Sequence, residues 1–169
     1  MSAGPVVVTP RQIEDAAFAA LVANGASKAN ATPVARAIAL AEATGNRVCG
    51  LFYAPVFCEQ MHLGKVDGRA VPAVSMRDAC VSVVAAGGFA HPAIEAGMPR
   101  LIDAASGHGI AAMAVSRSYN ALALGHHVLP LARHGLVGLC VSNAPASVAP
   151  PGARGALFGT NPLAFAAPV

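Results

Sequence analysis

The strongest constraint on this chain is a change of hydrophobic period near residue 70. Before it, apolar residues recur at helical spacing and turn signals sit at helix ends. Thr9-Pro10-Arg11-Gln12 is a capping box with proline at the first helical position. Ile13, Ala17, Leu21 and Val22 follow on one face, and Asn24-Gly25 stops the helix. A second helix starts at Ser27 or Thr32, carries Val34, Ala37, Ile38 and Ala41 as its stripe, and closes at Gly45. A third runs from about Leu51 to Leu63, with Pro55 in its first turn and Gly64 at its end. The polar stretch Lys65 to Arg69 marks the expected boundary between a helical N-terminal segment, 1–70, and an α/β segment, 71–169.

After Pro72 short β-branched runs alternate with Ala-rich helical ones. Val81 to Val84 reads as a strand, broken by Gly87-Gly88. Pro92 to Ser106 reads as a helix with Ile94, Met98, Leu101 and Ile102 on one face and Gly107 as its stop. Ile110 to Val115 is expected as a buried strand and Ala121 to Arg133 as a helix ended by Gly135. Strands are expected again at Leu136 to Val141 and Leu163 to Ala167, separated by the Pro, Ala and Gly-rich loop Asn143 to Gly159. Alternating strands and helices imply an α/β fold with a largely buried sheet. The last strand meets the end of the sequence at Val169 with no partner in view, which leads us to expect truncation or completion by another chain.

Charge supports that expectation. Only 11% of residues are charged and 55% are hydrophobic, whereas an average domain carries about 25% charged residues. Such a surface implies burial against something else, such as another subunit or a missing half. The net charge of +3 is spread over single Lys and Arg residues, so no basic stripe for nucleic acid is present. Cys49, Cys58, Cys80 and Cys140 are too widely spaced for zinc or a small disulfide scaffold, so free thiols are expected. Met1 to Pro10 lacks a basic region and has only the short run Val6-Val7-Val8, so it is no signal peptide, and no apolar stretch is long enough to span a bilayer. A cytoplasmic protein is expected.

Most chemical motifs fail on context. Gly107-His108-Gly109-Ile110-Ala111-Ala112 fits a glycine-rich dinucleotide pattern, but a helix precedes it and a strand follows, the reverse of what that motif needs. His126-His127 lies on a helix without a nearby carboxylate, so it makes no metal site. Neither a nucleophile elbow nor a phosphate-binding lysine loop occurs. Gly159-Thr160-Asn161-Pro162 is more informative, because a tight turn there sets a hydroxyl and an amide beside exposed backbone amides.

Read together, the segments are specific. Gly135-Leu136-Val137-Gly138-Leu139, Ser142 to Pro150, and Gly159 to Phe165 with Pro168 resemble the malate/L-lactate dehydrogenase family of the non-Rossmann type. Arg117-Ser118-Tyr119-Asn120, Leu124-Gly125-His126, Gly87 to Ala93 and Gly64 to Gly68 resemble one branch of it, close to reductases of Δ1-piperideine-2-carboxylate and Δ1-pyrroline-2-carboxylate. The resemblance covers about residues 10–168. It implies a helical segment leading into part of a non-Rossmann NAD(P)-binding α/β domain, usually in a dimer. It also implies NAD or NADP as cofactor, and a small 2-oxo, 2-hydroxy or cyclic imino acid as partner. By the same resemblance Ser118, Asn120, Ala121, Leu122, Ala123, Leu124, Gly125, Asn143 and Asn161 bind the cofactor and Thr160 contacts substrate.

The family's proton donor lies in a Ser-His-Gly-x-x-Arg motif, where His donates, Ser supports it, and Arg clamps a carboxylate bidentately. Here Val48 stands for that Ser, Cys49 for the His and Tyr53 for the Arg, and only Gly50 remains. Arg47 is adjacent. Two expectations follow. One is an NAD(P)-dependent oxidoreductase by descent. The other is a truncated, catalytically degenerate remnant or subunit that binds a nucleotide or a partner chain without catalysis.

Overall fold

The computed structural model describes residues 7–169, so Val6 of the N-terminal apolar run lies outside the described residues. Helix α1, Pro10–Ala23, begins on the expected capping box: the Gln12 amide donates to Thr9 Oγ1 at 3.2 Å and the Thr9 amide to Gln12 Oε1 at 2.8 Å. Helix α2, Lys28–Ala43, is capped by Ser27; Thr32 instead turns its hydroxyl back onto the Lys28 carbonyl. After a 3-10 turn at Arg47–Cys49, helix α3 covers Tyr53–His62. Phe57, Phe89, Leu21, Ile38 and Val34 form the centre of the helical core, each fully buried. Asn30 is a buried polar residue inside α2. Its amide donates to the Gly68 and Ala70 carbonyls, both at 2.9 Å, and so pins the polar turn after α3 onto that helix.

Three strands form the next sheet. Strand β1, Ala73–Arg77, pairs antiparallel with β2, Cys80–Val84, and β2 pairs parallel with β3, Ala112–Ser116. No periodicity in the sequence marks β1, whose exposed face is Ala73, Ser75 and Arg77. Helix α4, Ala90–His108, lies against all three strands. It passes through the expected stop at Gly107 and ends at Gly109, which takes the left-handed conformation at φ 80°. Gly97 lets the helix come close, since a Cβ there would overlap Met113 and Val83.

The expected buried strand Ile110 to Val115 needs correction. Ile110 is 78% exposed and β3 alternates between exposed and half-buried, because α4 covers only one face of its sheet. Helix α5 is also shorter than expected, Gly125–Arg133. Residues 121–124 stay out of it because Asn120 and Leu122 are left-handed, at φ 38° and 51°, and the Leu122 amide donates to Asn120 Oδ1 at 2.8 Å. Strand β4, Gly138–Val141, pairs antiparallel with β5, Leu163–Ala166, as a separate two-stranded sheet. The chain divides into a compact unit ending at Ala123 and a second, Leu124–Val169. The polar turn near residue 70 lies within the first.

Candidate functional site

In the first unit, residues 47–53 run through a 3-10 turn into the start of α3. The 3-10 turn at Arg47–Cys49 delivers the chain to Gly50, where a Cβ would overlap the Glu42 side chain. Glu42 Oε1 accepts the Leu51 amide at 2.8 Å and so anchors the start of α3. Val48 is 68% exposed and has no group to orient a neighbour. Cys49 is half-buried; burial pushes its thiol up, opposed by a hydrogen bond with the Asn46 side chain. It is therefore a neutral thiol at pH 7, not a thiolate.

Tyr53 faces inward. Its ring lies 5.5 Å from that of Phe57, and Phe57 meets Phe89 at 5.3 Å and Tyr119 at 6.0 Å. Phe57 thus brings Tyr53 and the loop after β3 onto one aromatic cluster. That loop is held firmly. The Tyr119 amide donates to the Gly88 carbonyl at 2.8 Å, the Ala90 amide to the Tyr119 carbonyl at 3.0 Å, and the Gly87 amide to the Arg117 carbonyl at 2.8 Å. Arg117, Asn120 and Leu122 all have positive φ, a concentration of backbone cost that persists only where surrounding bonds over-determine it. Ser118 is exposed, and the Leu122 side chain packs on the helical core. The Tyr119 phenol is held protonated by burial first, then by Tyr53 and Glu59.

In the second unit, Asn143 and Asn161 line one open cleft of about 350 Å³ with Val141, Ser142, Pro162 and Leu163. Asn161, left-handed at φ 41°, accepts the Ala144 amide on Oδ1 at 3.0 Å, which leaves its NH2 group available to donate. A Cβ at Gly159 would overlap the Ala144 carbonyl, so this turn needs glycine at that position. Thr160 is exposed beside the cleft without lining it. Ala121, Leu122 and Ala123 end the first unit, and Leu124 and Gly125 open the second. Leu124 is buried and Gly125 is exposed at the start of α5.

Sequence reasoning gave no role to Glu42, Asn46, Tyr119 or Ser142. Only Asn46 carried a usable signal, since a short polar residue beside a glycine turn commonly forms local hydrogen bonds. No group of metal ligands occurs among the described residues, and none of their helices is long and apolar enough to cross a membrane.

Residues 8–169 match the family model described as malate/L-lactate dehydrogenase. A Δ1-pyrroline-2-carboxylate/Δ1-piperideine-2-carboxylate reductase of Pseudomonas putida is 44% identical over 146 residues, covering 86% of this chain and 43% of that protein. A (2R)-3-sulfolactate dehydrogenase (NADP(+)) of Chromohalobacter salexigens is 39% identical, covering 96% of this chain and 49% of that protein. The crystal structure of the Δ1-piperideine-2-carboxylate reductase from Pseudomonas syringae superposes with a TM-score of 0.91 at 39% identity, over 97% of this chain and 50% of that one. The chain spans about half the length of the relatives it matches. It belongs to the malate/L-lactate dehydrogenase family.

Proposed function

We propose that this chain supplies part of a nicotinamide-dependent oxidoreductase site, in which NAD or NADP exchanges hydride with a 2-oxo or 2-hydroxy acid or a cyclic imino acid. The observation that carries this reading is the convergence of Tyr53 and Tyr119 on Phe57, which sets the 48–53 corner beside the loop that bears Ser118 and Asn120. The residues present suit a dinucleotide. Ser118, Tyr119, Asn143 and Asn161 offer neutral donors of the kind that ribose hydroxyls and a carboxamide accept. The reduced nicotinamide, when bound, supplies the hydride.

In this reading Ser118, Asn120 and residues 121–123 of the first unit are cofactor contacts, Leu124, Gly125, Asn143 and Asn161 of the second unit are cofactor contacts, and Thr160 meets the substrate. Tyr53 stands in the clamp's place, and its single hydroxyl gives a substrate carboxylate one hydrogen bond there, not a bidentate ion pair. Cys49 holds its proton and releases it poorly at neutral pH, and Val48 cannot support it. The helical part, 1–70, bears this corner, and 71–169 bears the cofactor side. A dimer or partner chain and a cytoplasmic setting belong to the same proposal.

The state of the 48–53 corner also favours a second reading: a subunit that binds a nucleotide or a partner chain without catalysing the reaction. One experiment separates the two. Val48→Ser, Cys49→His and Tyr53→Arg are introduced together, with the unmatched half of the P. syringae reductase supplied in trans. Oxidation of NADPH by cyclic imino and 2-oxo acids should rise by orders of magnitude. Single changes should do little, because residues acting as one unit are non-additive. A triple variant that binds NADPH yet reduces nothing above background favours the second reading.

A further inference from the structure

Reduction of a C=O or C=N bond needs a proton as well as a hydride. The titratable side chains at the 46–54 corner and on the loop 116–123 are Arg47, Cys49, Tyr53, Arg117 and Tyr119, and neither stretch holds a histidine or a carboxylate. Glu42, against Gly50, is engaged as the acceptor of the Leu51 amide. A guanidinium keeps its proton, and a thiol is a weak hydrogen-bond donor. Two phenols remain, the only tyrosines of the chain. Both rings are fixed on Phe57, Tyr53 at 5.5 Å and Tyr119 at 6.0 Å, the latter edge to face. The Tyr119 main chain is held on both sides, its amide by the Gly88 carbonyl and its carbonyl by the Ala90 amide. Its pKa is raised by burial first, then by the charges of Tyr53 and Glu59. Both of these lie on α3, so the phenol faces the helix that begins at Tyr53, and it keeps its proton through the neutral range.

We propose that Tyr119 is the proton donor of this site and that Tyr53 holds the substrate carboxylate beside it. This rests on the oxidoreductase reading above and fills the role that Val48 and Cys49 cannot. Ser118 and Asn120, the neighbours of Tyr119, are cofactor contacts in that reading, so the phenol stands where the cofactor side meets the corner. As the carbon of the C=O or C=N bond takes hydride, with its electron pair, from the reduced nicotinamide, the π pair passes to oxygen or nitrogen. That atom becomes far more basic than a phenolate and takes the Tyr119 proton, and water reprotonates the phenolate. A phenol hindered by burial and by Glu59 gives up its proton reluctantly, so reduction is slow beside that of a site with histidine at position 49.

The test joins this chain, carrying fluorotyrosine, by peptide ligation to the unlabelled unmatched half of the P. syringae reductase. Tyr119→Phe should lower kcat for reduction of Δ1-piperideine-2-carboxylate by NADPH about 100-fold or more and leave KM and NADPH binding nearly unchanged. Tyr53→Phe should raise KM instead. In the Tyr53→Phe protein Tyr119 is the single fluorinated residue, and its fluorine NMR signal should shift when NADP and piperidine-2-carboxylate, the reduced product, are added together. A Tyr119→Phe protein with undiminished kcat overturns the proposal alone, as does a Tyr119 signal that saturating ligands leave in place. A loss of NADPH binding that matches the loss of activity also overturns it, because the ring then serves only to hold the loop. A linked protein that reduces nothing with both phenols present overturns the donor role and the catalytic reading together.

Discussion

The two compact units bury their apolar residues to very different extents. The first closes its core: Phe57, Phe89, Leu21, Ile38 and Val34 are shut from solvent, and a buried asparagine locks the turn that crosses them. The second leaves Val137, Leu139, Val141, Leu157, Leu163 and Phe165 mostly open and is built on one short helix and two short strands. The difference means that stability resides in the helices, while the cleft of Asn143 and Asn161 sits on the less closely packed unit.

The comparison is broken most directly by truncating one phenylalanine from each unit. Phe57→Ala should cost about 3–5 kcal/mol, by loss of buried area and creation of a cavity. Phe165→Ala should stay within about 0.5 kcal/mol in the chain alone. Urea unfolding followed by far-UV circular dichroism measures both; similar losses would mean that the second unit is as well packed as the first.

Gly159→Ala sharpens the functional side. The added methyl overlaps the Ala144 carbonyl, so the turn must shift, at a cost of roughly 1–3 kcal/mol confined to the second unit. Hydrogen exchange should accelerate in β4 and β5 and leave α1 and α2 unchanged. Acceleration spread evenly over the chain would argue against two separable units.

Much of this was legible beforehand, and the residues show why. The capping box at Thr9 and Gln12, Ser27 as one of two candidate caps, and the glycine stops at Gly25, Gly45 and Gly64 are local signals, and the structure follows them. Gly107 misled because helix propagation through α4 outweighs one glycine, whose penalty is near 1 kcal/mol. Residues 121–124 misled because their apolar pattern suits a helix, whereas Asn120 and Leu122 are left-handed and the Leu122 amide is taken by Asn120 Oδ1, just after a loop that Gly87, Gly88 and Ala90 hold at Arg117 and Tyr119. The replaced positions Val48, Cys49 and Tyr53 could be found only through the family motif. The inward packing of Tyr53 on Phe57, which links the corner to Tyr119, needed the fold.

Smaller effects probe the first unit further. Thr9→Ala should cost about 1 kcal/mol through loss of the cap, again by urea unfolding, and an unchanged midpoint would show that α1 is held by packing alone. With Cys58, Cys80 and Cys140 changed to serine, Cys49 should alkylate with iodoacetamide more slowly than free cysteine at pH 8. Its rate should rise with pH beyond the ordinary thiol range, because burial raises its pKa and so reduces the thiolate at any given pH. Reaction faster than free cysteine would mean an activated thiol and a different chemistry at that corner.

The most direct measurement is a fluorescence titration of the chain, linked to the unmatched half of the P. syringae reductase, with NADH and NADPH. It is run beside Asn161→Ala and Ser118→Ala, with circular dichroism confirming that each variant is folded. Saturable binding of one or both nucleotides, weakened at least tenfold by each substitution, is the expected result. Binding that neither substitution changes, or no binding by the folded protein at millimolar nucleotide, would contradict a nicotinamide site built from these residues.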